Sequence, residues 1–445
     1  MNASAPLSSA IDSSVASVRS KPATTPCSAS QTPTRLPEFR HYHPAPGHPD
    51  WVTLQREAKA IADEVRPQLE RPQRGLPELK RRKRSYQTAA SNFLENRRRT
   101  QSGREDLLPL YFIWTTLRAC NFRCTYCDDH QGHKYPNLSN AGMLDTEGGK
   151  RLLDVMRTRT PSVYFAGGEP MIRKDLPELT RHARDTGYFP VVINTNGSLL
   201  ERRLRDASWR TWLADTDVIV VSLDALDLQR LSSLWVSKQP GDVLRNLLVL
   251  RELAKEMRVK LMVNTVIQPD TVAEASHVLD FANDMGIWFC AVPVNVGPTV
   301  HGGLHAQKDY QRLVEKLLER KRGAARIAGS LRMNERLLRS EPLNCRNTLK
   351  PHVDFDGRLI WPCKASVNVA PVAINVLEFE HVDDLYAHAS RQVSPTGFHG
   401  PASNQCGARC NWAQNYATDA YAHGLAHPLS LLREVADFAF GGGSA

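Results

Sequence analysis

Three cysteines, Cys120, Cys124 and Cys127, stand in the run Cys-Asn-Phe-Arg-Cys-Thr-Tyr-Cys of this 445-residue chain. Thiolates at this spacing on one short loop can reach three corners of an iron–sulfur cube, and they leave its fourth iron without a protein ligand. An iron left open can bind a small molecule, and chemistry starts at that position. Four cysteines are the usual way to hold such a cube, so three point to a reactive cluster rather than a sealed one. A zinc site is the other use of closely spaced cysteines. No histidine or fourth cysteine stands at zinc-ribbon spacing, and His130 is the nearest further ligand type.

A second set, Cys345, Cys363, Cys406 and Cys410, lies near the carboxyl terminus. Between Cys345 and Cys363, the run from His352 to Ile360 reads as a β-hairpin turning at Asp356-Gly357, which can bring the flanking thiolates together. Cys406 and Cys410 supply two more from a loop-to-helix turn. Four thiolates suffice for one fully ligated cube, and they equally suit structural zinc. Cys290, inside an apolar run, reads as a core residue, and Cys27 as an idle thiol.

The spacing Cys-x3-Cys-x-aromatic-Cys, with Tyr126 as the aromatic, resembles the signature of the radical S-adenosylmethionine (SAM) enzymes. The resemblance implies a [4Fe–4S] cluster on Cys120, Cys124 and Cys127, whose open iron chelates the amino and carboxylate groups of SAM while Tyr126 lies beside the adenine. It implies reductive cleavage of SAM to a 5′-deoxyadenosyl radical that takes a hydrogen atom from a substrate, with electrons from a donor such as a flavodoxin or ferredoxin. Gly167, Gly168 and Glu169, followed by Pro170, resemble the family's GGEP motif, which cradles the methionine amine. By the same resemblance Asn194, Asn196, Ser222 and Asp224 serve the ribose hydroxyls and the methionine carboxylate, and Asn264 lies near the adenine and ribose. The carboxyl-terminal cysteines resemble the SPASM and Twitch extensions. The full SPASM pattern has seven cysteines and two auxiliary clusters, whereas four here imply one auxiliary [4Fe–4S] cluster on Cys345, Cys363, Cys406 and Cys410.

These residues need a scaffold, and the intervening sequence supplies a repeating one. Apolar β-rich runs at Tyr111–Leu117, Ser162–Phe165, Phe189–Ile193, Val218–Leu223, Lys260–Val266 and Trp288–Val294 alternate with helical stretches such as Val243–Arg258 and Val272–Met285. Strands alternating with helices predict parallel β/α units. The expected fold class is therefore α/β, a partial (β/α)6 barrel of the radical SAM type. Reactive groups of parallel barrels sit at the carboxyl ends of strands, where the three-cysteine loop and the Gly167-Gly168-Glu169 turn both fall.

The expected organisation is a disordered Ser/Thr/Pro/Ala-rich tail over 1–40, a basic helical extension over 41–105, a core over 106–300, a helical linker over 301–344 and a cysteine-rich extension over 345–445. Within the extension, Trp51, Leu54, Ala58, Ile61 and Val65 follow helical steps towards Pro67, and a second helix covers the basic region to about Arg99. Of the net charge of +10, residues 1–105 carry 18 Lys and Arg against 10 Asp and Glu. The other 340 residues carry 39 against 37. The runs at 80–84 and 97–99 can attract phosphates, or can be a solvated helix face.

No run of eighteen apolar residues exists, so no membrane span is expected. Nine cysteines with no secretory apolar core at the start fit a reducing, cytoplasmic setting. The polar loop Asp128-Asp129-His130-Gln131-Gly132-His133 can bind a polar substrate, shuttle a proton, or simply be solvated. The His-Asp-x-x-Arg-Gly element of peptide-modifying SPASM enzymes is missing, its place being taken by Asp227-Leu228-Gln229-Arg230-Leu231. The expected reaction is hydrogen abstraction within peptide maturation or natural-product or lipid biosynthesis. A nucleic-acid-modifying enzyme and a non-catalytic iron–sulfur or zinc sensor remain as alternatives.

Overall fold

The computed structural model describes residues 39–127, 139–296, 299–343, 346–364, 374–393 and 410–430. The amino-terminal tail with Cys27, the Asp128–His133 loop, Cys345, Cys406 and all but the start of the helix expected after Pro428 lie outside the described residues.

Six strands, β1 (Tyr111–Thr115), β2 (Ser162–Ala166), β3 (Val191–Thr195), β4 (Val218–Ser222), β5 (Lys260–Ile267) and β6 (Trp288–Pro293), pair in parallel and in sequence order. Between them run the helices Thr146–Arg157, Leu176–Thr186, Leu200–Leu204, Leu228–Trp235, Pro240–Met257 and Val272–Asp284. This is the expected α/β arrangement. Side chains alternate across each strand. Phe112, Trp114, Val163, Ile193, Ile219, Val221 and Val263 face the helices and are fully buried in the main core. On the other face Val220 and Met262 cluster with Val192, Val218, Trp288 and Cys290, filling the inside of the curved sheet. Cys290 is thus half-buried on the inner wall, where burial pushes its thiol up to about 11.

Each strand ends one or two residues from the expected position, and one start also differs. The third strand begins at Val191, not Phe189, because Pro190 has no N–H to give the ladder. The fourth ends at Ser222 rather than Leu223.

The hairpin forms as expected from Asp356-Gly357, with His352–Val353 antiparallel to Leu359–Ile360. Its first strand also pairs in parallel with β1, so the sheet gains two strands beyond β1. At the opposite edge, Ile327 bridges to Phe289 of β6. The segment from Cys410 to Asn415 reaches both flanks. Asn411 Oδ1 accepts from the Val300 amide (2.6 Å), and the Ala413 amide donates to Asn295 Oδ1 (3.1 Å), both just beyond β6. Beside β1, the Trp412 ring lies 5.9 Å from that of His352.

The basic extension is mostly architecture. The Trp51–Val65 helix is capped by Asp50 and buries Trp51, Ala58, Ile61, Ala62 and Val65 in the main core. The Leu76–Gln101 helix crosses the amino-terminal ends of the strands, because its side chains bond the residues that immediately precede them. Ser85 Oγ donates to the Phe189 carbonyl (2.7 Å), Asn92 Nδ2 to the Pro109 carbonyl (3.0 Å), and Arg81 to the Tyr188 carbonyl (2.8 Å). Arg81 also grips Asp217 and Glu78, and Arg184 donates to Glu78 (2.6 Å), forming a buried ion-pair knot under the sheet. Arg81 and Arg99 are therefore buried, while Lys80, Lys83, Arg84, Arg97 and Arg98 face solvent. No described helix is long and apolar enough to cross a membrane.

Removing one partner of a buried pair strands the others' charges. Arg81→Ala should cost about 3 kcal/mol in urea unfolding. Burial raises the Glu78 carboxyl, but hydrogen bonds from Arg81 and Arg82 outweigh it and hold the group below its ordinary value. Its stabilisation is therefore fully present above the ordinary carboxylate range. It is lost as pH falls through the depressed folded value, and the gap between wild type and Arg81→Ala should narrow there.

Candidate active site

The residues joining β1 to Cys120 lie against the turn after β2, backbone to backbone. The Gly168 amide donates to the Leu117 carbonyl and the Glu169 amide to the Ala119 carbonyl, both at 2.9 Å. A Cβ on Gly167, whose φ is +141°, would stand 2.5 Å from the Leu117 oxygen. One on Gly168 would stand 2.1 Å from the Ala119 oxygen. Both glycines are thus needed for the cysteine loop to approach. The neighbour these glycines admit in the structure is the loop itself.

A second support comes from the Leu228–Trp235 helix. Its last carbonyls, which have no partner inside the helix, accept from the loop: Arg123 N–H donates to Trp235 O (3.1 Å) and Thr125 N–H to Leu234 O (2.9 Å). Phe122 stacks on Trp235 with ring centroids 5.5 Å apart. Asp224, just past β4 and fully buried, joins three elements. It accepts from Tyr126 Oη, from Trp235 Nε1 (2.8 Å) and from the Val266 amide of β5 (2.9 Å). Burial raises its carboxyl despite these donors, and burial together with Asp224 raises the Tyr126 phenol.

Glu169 is also fully enclosed. Oε1 accepts from Thr195 Oγ1 (2.7 Å) and the Met171 amide (3.0 Å), and Oε2 from the Asn196 amide (2.7 Å), tying the ends of β2 and β3 together. A carboxylate oxygen accepts two bonds, and Oε2 has one from the protein. Asn196 reaches back to the loop, donating from Nδ2 to Asn121 Oδ1 (2.9 Å), with Cys120 Sγ at 4.0 Å. Strand alternation places Asn194, Ser222 and Asn264 on the inner wall, as it does Val192, Val220 and Met262. Ser222 is paired in register with Asn264, and Asn264 with Cys290.

Cys120, Cys124 and Cys127 come together at this mouth. Burial pushes the Cys120 thiol up to about 12, with Glu169 and Cys127 adding to it, and raises Cys124 further, with Cys127, Asp224 and Cys120 adding. Cys127 thus lies near enough to Cys120 and Cys124 to disfavour their ionisation, as Cys120 does that of Cys124. Only a bound cation or cluster can hold three such sulfurs as thiolates together. The donor set therefore fits a metal cluster and not a set of free nucleophiles.

The cysteine-loop stem is joined to the carboxyl-terminal hairpin as well. Arg118 Nη2 donates to the buried Asp354 (2.6 Å), and its guanidinium covers the Phe355 ring at 4.3 Å. Asn140 Oδ1 accepts from the Arg118 amide (2.7 Å). Of the second cysteine set, Cys363 and Cys410 are described, and both are buried. Cys363 Sγ lies 4.0 Å from Asn415 Nδ2, and burial raises the Cys410 thiol. Cys345 and Cys406 are outside the described residues.

Sequence reasoning did not single out Thr195, Trp235, Arg118 or Asn140. Thr195 was within reach, since it stands between two named asparagines. The other three act across long separations and leave no local pattern.

Comparison with known proteins agrees with this geometry. Residues 114–282 match the Radical SAM superfamily. The Fe-coproporphyrin III synthase of Methanosarcina barkeri is 41% identical over 93 residues, which cover 21% of this chain and 22% of that protein. A Methanococcus aeolicus protein described as "Probable GTP 3′,8-cyclase" is 30% identical over 177 residues, 38% of this chain and 54% of that one. The chain thus spans a fifth to a half of the length of these curated relatives. A solved structure described as anSMEcpe with bound AdoMet matches with a TM-score of 0.50 at 16% identity, covering 74% of this chain and 98% of that one, a likeness of fold.

Gly168→Ala should expel the cysteine loop, because the obstacle is main-chain oxygen rather than a side chain that can swing away. Iron retained per chain after anaerobic reconstitution should fall several-fold. Gly241→Ala, whose Cβ meets nothing within 4 Å, should retain wild-type iron.

Proposed function

We propose that this chain, a member of the radical SAM superfamily, is an enzyme that generates a radical at the Cys120–Cys124–Cys127 loop and uses it to take hydrogen from a peptide or a small molecule. When bound, a [4Fe–4S] cluster and SAM supply a one-electron cleavage of SAM to a 5′-deoxyadenosyl group able to abstract hydrogen. The observation that carries the reading is the gathering of three half-buried cysteines on one short loop at the carboxyl ends of parallel strands, with a glycine turn pressed against that loop.

Each residue then has a defined task. Cys120, Cys124 and Cys127 hold three corners of the cluster and leave the fourth open. Asp224 fixes the Tyr126 ring, so that its face, not its hydroxyl, is the part offered to an adenine. Glu169 receives an ammonium group through the remaining capacity of Oε2, beside Gly167 and Gly168. Asn194, Asn196, Ser222 and Asn264 offer amides and a hydroxyl from the inner wall to a ribose and a carboxylate. Cys345, Cys363, Cys406 and Cys410 would hold a second cluster, which relays an electron or supports the fold, and a flavodoxin or ferredoxin supplies reducing electrons.

The substrate is taken as a peptide or small molecule rather than nucleic acid because of where the charge lies. The helix carrying the basic runs crosses the amino-terminal ends of the strands, and its Arg81 and Arg99 are held in ion pairs there. The cysteine loop opens at the other end.

Anaerobic protein given SAM and dithionite should form 5′-deoxyadenosine, measured by liquid chromatography. Cys124→Ala should reduce this at least a hundredfold. Product equal in wild type and variant contradicts the proposal.

A further inference from the structure

Away from the cysteine loop, the segment that follows the amino-terminal tail passes over the Val272–Asp284 helix. There His48 meets Glu274 and His277. The two helix residues are three apart and share a face. One donor atom from each of the three lies within 4.8 Å of the others. His48 Nε2 is 3.9 Å from Glu274 Oε2, and His277 Nδ1 is 3.7 Å from Glu274 Oε1. Both gaps are too long for hydrogen bonds. They are close to the ligand-to-ligand edge of a tetrahedral zinc site, roughly 3.4 Å for bonds of about 2.05 Å.

Three further observations point to a ligand. His277 Nδ1 is buried and has no hydrogen-bond partner, an unusual state for a ring nitrogen facing a carboxylate. The His48 side chain is only 1% exposed, and its other nitrogen, Nδ1, is 2.6 Å from Tyr42 Oη, as metal-ligating histidines are held by an outer partner. Glu274 Oε2 is oriented from behind by the Leu226 amide at 3.0 Å.

We propose that His48, Glu274 and His277 form a binding site for a divalent transition-metal ion, zinc being the fitting example, with solvent in the fourth position. Two imidazoles and one carboxylate are a donor set that zinc favours, and three protein ligands leave room for water. Loading places the His48 proton on Nδ1, where Tyr42 Oη accepts it. Oη otherwise receives the Trp51 Nε1–H at 2.9 Å and has a further lone pair. The Ala45 amide, 3.2 Å from the same nitrogen, loses its acceptor on loading. The ion clamps the amino-terminal segment to the Val272–Asp284 helix. It does so beside Leu228, whose amide already donates to the Gly47 carbonyl (3.1 Å). Leu228 opens the helix whose other end supports the cysteine loop.

The site is tested on cluster-loaded full-length protein, exposed to Zn²⁺ and dialysed against micromolar free zinc. Metal is counted by mass spectrometry, and its shell is read by zinc-edge X-ray absorption. One zinc per chain with only nitrogen and oxygen neighbours near 2.0–2.1 Å is expected. His277→Ala and Glu274→Gln should each lower zinc affinity at least a hundredfold while leaving the iron–sulfur absorption unchanged. His277 is 37% exposed, so its truncation spares the core. Sulfur neighbours at about 2.3 Å place zinc on cysteines instead and overturn the site. So does equal zinc in wild type and variants, or no zinc retained by wild type.

Discussion

The contact of main chain with main chain between Gly167-Gly168 and Leu117–Ala119 sets the position of everything chemical in this protein. No side chain can hold the cysteine loop so close to the end of β2, because any Cβ at Gly168 would overlap the Ala119 carbonyl. The two amide-to-carbonyl bonds across this contact fix where Cys120 begins. The Leu228–Trp235 helix fixes where the loop goes next, and Asp224 fixes the tyrosine before Cys127. The sulfurs converge because three independent elements hold one short loop.

The polar groups at the strand ends do two kinds of work. Glu169, Asn196 and Asp224 are tied into hydrogen bonds among β2, β3, β5 and the loop, so they make the mouth rigid before any ligand arrives. Pre-organisation of this kind lowers the cost of binding a flexible cofactor. Asn194, Ser222 and Asn264 face inward on the wall between them. The amino-terminal ends of the strands are crossed by the Leu76–Gln101 helix, whose Arg81 serves the Tyr188 carbonyl and the Asp217 carboxylate under the sheet.

Much of this was readable in the sequence, for physical reasons. Parallel strands buried on both faces appear as apolar runs, and the helices between them follow their own period. All six strands were visible that way, as were the cysteine spacing, the Gly-Gly-Glu turn and the Asp356-Gly357 hairpin. What stayed hidden depends on long-range pairing. Nothing local reveals that His352–Val353 adds to β1, or that Asp224 serves Tyr126 and Trp235. Charge shows the same limit: most of the basic runs face solvent as a helix face should, but nothing local marks Arg81 as the one that turns inward to Glu78 and Asp217. The Gly-Gly turn shows in the sequence as a motif, but that it admits the cysteine loop's own backbone depends on a contact fifty residues away.

The central claim is that the loop leaves one iron of its cluster open to SAM. Mössbauer spectroscopy of protein reconstituted with ⁵⁷Fe, recorded before and after adding SAM, tests it most directly. The account predicts that a single iron site changes its isomer shift on SAM addition while the sulfur-ligated irons keep theirs. A spectrum that SAM leaves unchanged contradicts it.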